Sequence, residues 1–194
     1  MAGGPARRPS PIPRLSHSGE TEAGEYDLSP AQRRLWFLEQ GCPGTATYTI
    51  ALAFDVAGHL DVSALRDAAE TVVTRHEVLR STFREVGGVP VCRPLRHRGA
   101  GADVAEVAVA PGEDLDAVLS REATRPFDLA RGPLVRLRLI GWAAGGTGTV
   151  PAPSPTAVLL ACLHHLVADA DSLAPFFAEL ARAYEGAVGV SHRH

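Results

Sequence analysis

Lysine is absent from this chain, and all 19 of its basic side chains are arginine. Arginine offers no general advantage that would empty a surface of lysine. The bias is therefore compositional, of the kind a GC-rich coding sequence leaves, and carries no functional weight. An excess of positive charge is also missing. The formal net charge is -3, which gives no electrostatic footprint for nucleic acid. Cysteine is scarce: Cys42, Cys92 and Cys162 form an odd, scattered set without CxxC spacing. That pattern suits a reducing cytosol and argues against a disulfide framework or a zinc site. The longest apolar run, Ala157 to Leu163, is far too short to cross a bilayer. The first 25 residues contain no apolar h-region, so a secretory signal is not expected and a soluble, cytoplasmic protein is.

The remainder is the composition of a globular domain, 45% hydrophobic and 21% charged over 194 residues. Residues 1–25, rich in Pro, Gly, Arg and Ser, are expected to be a disordered lead-in. Residues 26–188 are expected to form one folded unit and 189–194 a tail.

Ser29 is a good N-cap and Pro30 a good first helical residue, with Ala31, Leu35 and Leu38 on one predicted face and Gly41 at the end. Thr49 to Val56 alternates as a half-buried strand. Asp61 caps a second predicted helix whose apolar residues run from Leu65 through Val72 to Leu79. Ser81 to Val91 reads as a hairpin turning at Gly87-Gly88. Further on come a strand over Asp103 to Val109 and a helix over Glu113 to Thr124. Next is a strand with Val135, Leu137 and Leu139 on one side and Arg136 and Arg138 on the other. After a Gly- and Pro-rich loop at 145–155, the apolar run reads as a central strand covered on both faces. The last predicted helix starts near Ser172 with Pro175 in its first turn. The mixture implies an α/β sandwich.

Chemistry concentrates at the end of that central strand, in His164, His165 and Asp169. An imidazole held at a strand end is a natural general base near neutral pH. Adjacent residues on extended backbone point to opposite faces, so one histidine should face a cleft and the other the core. Spacing alone does not say which. On residue chemistry alone the cluster reads equally well as packing histidines with a capping carboxylate. A metal site fits poorly, because adjacent imidazoles diverge and no further Cys/His cluster follows. Ser172 and Cys162 lack the context of a nucleophile, and Cys162 reads as a small core residue.

Four ordered stretches give the chain a resemblance. Leu28-Ser29-Pro30-Ala31-Gln32-Arg33-Arg34-Leu35-Trp36-Phe37-Leu38 is similar to the first core motif of nonribosomal peptide synthetase condensation domains, and Arg75-His76-Glu77-Val78-Leu79-Arg80-Ser81-Thr82-Phe83 to the second. Arg125-Pro126-Phe127-Asp128-Leu129 with Gly132-Pro133-Leu134 resembles the segment before the active-site strand. His164-His165-Leu166-Val167-Ala168-Asp169-Ala170 resembles the catalytic HHxxxDG motif. The match covers about residues 26–186 and implies the chloramphenicol-acetyltransferase-like α/β sandwich, here as the single N-terminal lobe of a two-lobe domain.

By resemblance, His165 is the catalytic histidine, assisting attack of an acceptor amine on an acyl or peptidyl thioester. No bound cofactor is implied; substrates would arrive on the phosphopantetheine arms of carrier proteins. His164 would support the loop from the core side. Asp169 would be structural, paired with Arg75 or Arg80 because a buried carboxylate needs a cation. Trp36 and Phe37 are expected in the core. The family's glycine is Ala170 here, a concern if that position needs positive φ. The implied partners are carrier proteins and either a second condensation lobe or a second copy of the chain. The alternative is a non-catalytic lobe that binds a carrier protein or another partner.

Overall fold

The computed structural model describes residues 24–95, 101–142 and 157–191. Most of the expected lead-in and the 145–155 loop lie outside the described residues. Glu25, within the expected lead-in, is buried and accepts a hydrogen bond from Arg84 Nε at 3.0 Å.

In chain order the elements are β1 (Tyr26–Asp27), α1 (Pro30–Gly41), β2 (Thr49–Val56), α2 (Val62–Arg75), a 3₁₀ turn (Glu77–Arg80), β3 (Ser81–Val86), β4 (Val89–Pro94), β5 (Asp103–Val109), α3 (Leu115–Ala123), β6 (Val135–Trp142), β7 (Ala157–His164) and α4 (Ala170–Ser191). The hairpin β3–β4 turns through Gly87 and Gly88, both at positive φ, as a two-residue primed turn requires. With β1 it makes a small three-stranded sheet.

The larger sheet has the order β2-β7-β6-β5, parallel only at β5–β6. The apolar strand β7 therefore sits inside, hydrogen-bonded on both edges, as its unbroken hydrophobic run requires. On one face α2 and α4 pack against Val135, Leu137, Ala161 and Leu163. On the other, α3 covers Ile140, Leu160 and Cys162 with Val118.

Two local expectations need correction. The inward face of α1 carries Trp36 and Glu39, both buried, with Gln32 and Leu35 half-buried, whereas Ala31 and Leu38 are exposed. Phe37 is 61% exposed and is no core residue. Polar side chains at inward helical positions are invisible to a reading based on hydrophobic period. Second, α4 starts at Ala170, which places Pro175 beyond the first turn, and continues through residues 189–191 where a tail was expected. Arg136 and Arg138 point opposite to Val135 and Leu137, as the alternation implies, and they point into the protein, each 3% exposed. Arg136 donates to the carbonyls of Glu122 and Arg125, both at 3.0 Å, and of Pro126 at 3.3 Å at the end of α3, and its guanidinium lies 4.3 Å over the Phe127 ring. Arg138 pairs with Glu122 at 3.2 Å and with Asp103. Burial of these cations is possible because carbonyls and carboxylates satisfy their donors.

Candidate active site

The β7 alternation sorts the two histidines. His164 continues the row of Leu160 and Cys162 toward α3, and it is 3% exposed. His165 follows on the opposite side and is exposed. Its backbone N–H donates to Tyr48 O at 2.8 Å, and the N–H of His164 donates to Leu134 O at 3.0 Å. The strand end is thus pinned from both sides, and the His165 side chain projects from a fixed backbone.

The turn after β7 is closed by the Val167 N–H donating to His164 O at 2.9 Å and the Leu166 N–H donating to His164 Nδ1 at 3.1 Å. From α1, Gln32 Nε2 donates to Leu166 O at 3.0 Å. The same side chain completes a capping box with Ser29: the Gln32 N–H donates to Ser29 Oγ at 3.2 Å, and the Ser29 N–H donates to Gln32 Oε1 at 3.0 Å. His165 lines an open cleft of about 470 Å³ whose walls include Ser29 at the cap of α1, Gln32 and Leu35 of α1, Val78 of the 3₁₀ turn, and Asp169 and Ser172.

Burial, and secondarily the neighbouring His165, lowers the His164 pKa from 6.5 to about 4. His164 is therefore a neutral ring at physiological pH, and Phe127 meets it edge to face at 6.0 Å between centroids.

Asp169 is not where the expected ion pair would put it. It is exposed at the start of α4, where Oδ1 accepts from the Ser172 N–H at 2.9 Å and from Ser172 Oγ at 2.8 Å. Its own N–H donates to Ser172 Oγ at 2.7 Å. These hydrogen bonds hold its carboxyl below the usual carboxylate range, the Ser172 hydroxyl contributing most. Arg75 pairs with Glu179 at 3.0 Å, an acceptor it shares with His76, while Arg80 pairs with Glu77 at 2.8 Å and donates to Leu95 O. The premise of a buried carboxylate fails. A helix N-terminus supplies the donors and positive potential that a cation would otherwise supply. Arg75 and Arg80 brace neighbouring segments instead.

Ala170 is the first helical residue of α4, and no non-glycine residue among those described has positive φ. The backbone there is one that alanine adopts more readily than glycine. Among the described residues no group of three His, Cys, Asp or Glu side chains is placed to hold a metal ion. No described helix is long and apolar enough to span a membrane.

Two residues of this site, Gln32 and Glu39, carry signals that hydrophobic spacing does not register. The Ser29-to-Gln32 interval is a legible capping-box signature; the burial of Glu39 becomes visible only once α1 is docked.

The family model for the condensation domain matches residues 22–190. The chain belongs to the condensation-domain family. Over 157 residues this condensation chain is 43% identical to a probable non-canonical nonribosomal peptide synthetase, CymA, of Salinispora arenicola; the alignment covers 81% of the chain and 2% of that protein. It is 35% identical to surfactin synthase subunit 2 of Bacillus subtilis, over 83% of the chain and 4% of that protein. The chain thus spans a few hundredths of the length of these relatives.

Among solved structures it is similar to the X-domain in a complex with OxyB from teicoplanin biosynthesis, with a TM-score of 0.66 and 31% identity over 84% of the chain and 33% of that one. It shares its fold with the starter condensation domain of rhizomide synthetase, at a TM-score of 0.63 and 20% identity over 82% of the chain and 37% of that one. The architecture is the chloramphenicol-acetyltransferase-like α/β sandwich, covering about one lobe of a condensation domain.

Proposed function

We propose that this lobe carries the His165 side of a condensation site that joins a carrier-protein-bound acyl or peptidyl thioester to an acceptor amine. The observation that carries the reading is the exposed His165 side chain, aimed into a cleft from a backbone tied to Tyr48 and braced through Leu166 by Gln32. In that reading His165 holds or accepts the proton of the amine nitrogen as the nitrogen attacks the thioester carbonyl. The C–N bond forms, the C–S bond breaks, and the proton leaves with the thiol. The substrates would be delivered on phosphopantetheine arms, and the cleft's opposite wall would come from a second condensation lobe or a second copy. Exposed Val78 and half-buried Leu35, both lining the cleft, are apolar surface such a wall would cover.

The test mixes the chain, alone and with a complementary lobe, with acyl-loaded and aminoacyl-loaded carrier proteins and follows the product by intact mass. Condensed product is expected from the wild type with the lobe, and little from His165→Ala. Equal inactivity of the two folded proteins sinks the catalytic reading. A second reading, a lobe that binds a carrier protein or another partner without turnover, is favoured by the likeness to an X-domain solved in complex with OxyB. It predicts carrier-protein binding that His165→Ala leaves unchanged.

A further inference from the structure

Two buried polar atoms behind the site face each other with no hydrogen-bond partner. Glu39 Oε2 and His164 Nε2 lie 3.7 Å apart, on side chains 9% and 4% exposed. Leaving either atom unsatisfied in the interior is costly, so their juxtaposition calls for a reason. The other ring nitrogen supplies half of it. Nδ1 of His164 accepts the Leu166 N–H, so it holds a lone pair, and the proton of the neutral ring belongs on Nε2. That proton is directed at Glu39. Closing the gap to hydrogen-bond length takes a movement of about 0.8 Å, within reach of the glutamate side-chain torsions.

We propose that Glu39 is a positioning residue: it accepts the Nε2 proton of His164, fixes the imidazole in one tautomer, and so holds the His164–Val167 turn that presents His165. The arrangement matches the way a second group orients a working histidine elsewhere, with the difference that the oriented ring here braces its neighbour and does not itself meet substrate. The groups facing the pair are His165 from the turn, Cys162 on the same face of β7 and, beyond the Phe127 ring, Arg136 of β6. Among the described residues no arginine pairs with Glu39, whose neighbour is the neutral His164 ring, and burial pushes its carboxyl above the ordinary value of 4.5.

The inference deepens the proposed function, but its test does not need turnover. In the full chain labelled with ¹⁵N-histidine, long-range ¹H–¹⁵N spectra read the protonation of each ring nitrogen. The wild type should show His164 protonated at Nε2 only. Its Nε2 resonance should shift in two steps as pH falls, the upper from Glu39 and the lower from the ring itself near 4. In Glu39→Gln the amide oxygen still accepts, so the tautomer persists and the upper step vanishes. In Glu39→Leu, with no acceptor, the Nε2 proton should exchange with solvent markedly faster than in the wild type. A wild-type ring protonated at Nδ1, or a Glu39→Gln response identical to that of the wild type, overturns the proposal. If these signatures hold while no product forms in the condensation assay, Glu39 still positions His164 and only the catalytic reading falls.

Discussion

Gln32 on α1 reaches across 134 positions of sequence to donate its side-chain amide to the Leu166 carbonyl at 3.0 Å. One side chain thereby finishes the cap of α1 and tethers the turn that carries His165.

Substitution at Gln32 separates those two roles. Gln32→Glu keeps an oxygen for the Ser29 N–H but has no donor for Leu166. Gln32→Ala loses both. We expect the alanine variant to lose about 1–2 kcal/mol of stability. The glutamate variant should lose less overall, yet show the greater mobility at residues 165–167 that chemical denaturation paired with hydrogen exchange can resolve. Equal protection of the Leu166–Val167 amides in all three proteins would contradict the tether.

His164 makes stability depend on pH in a defined window. Its folded-state pKa, about 4, lies below its ordinary 6.5, so between these values the unfolded chain binds more protons than the native one. The contribution is fully present above 6.5 and is lost as pH falls toward 4. It amounts to on the order of 3 kcal/mol. Glu39, raised by burial, has the opposite slope just above 4.5 and trims the lower part of the window. Denaturant midpoints across pH 4 to 7 should fall on acidification, and His164→Leu should flatten the curve. An unchanged slope in that variant would contradict a buried neutral ring.

Asp169 should couple to Ser172 and not to Arg75. A double-mutant cycle between Asp169→Ala and Ser172→Ala should show strong non-additivity, because the hydrogen bonds at Oδ1 are shared. The cycle with Arg75→Ala should be additive, since Arg75 is engaged by Glu179. Asp169→Asn should retain most of the cap, asparagine being as good an N-cap as aspartate. Coupling to Arg75 of the size seen with Ser172 would restore the ion pair that the motif led us to expect.

The elements were largely legible in the sequence wherever local physics sets them. Strand bounds at Thr49–Val56 and Asp103–Val109, the cap at Asp61, and the Gly87-Gly88 turn depend on alternation, a side-chain oxygen and positive φ, all properties of a few adjacent residues. The misreadings arose where a partner distant in sequence decides. Apolar residues alone suggest a face for α1 with Ala31, Leu35 and Leu38, but the side it buries holds Trp36 and Glu39, the latter 3.7 Å from His164. The side of Arg136 and Arg138 was legible from alternation, but their burial was not, since it depends on the carbonyls and carboxylate that the end of α3 supplies.

The sequence by itself determined the kinship of this chain and the presence of a strand-end His-His-Asp segment, because ordered motifs and hydrophobic period survive without coordinates. Which histidine faces the cleft was open on spacing and indicated only by the resemblance, and that Asp169 pairs with Ser172 was not indicated at all; tertiary structure decided both. The first depends on how β7 is inserted between β2 and β6 and which helices cover its faces. The second depends on α4 beginning at Ala170, so that the carboxylate meets free backbone donors before it could meet an arginine. A side chain's chemistry is written in its residue type, but its charge state and partner follow from the burial and donors that the folded chain places around it.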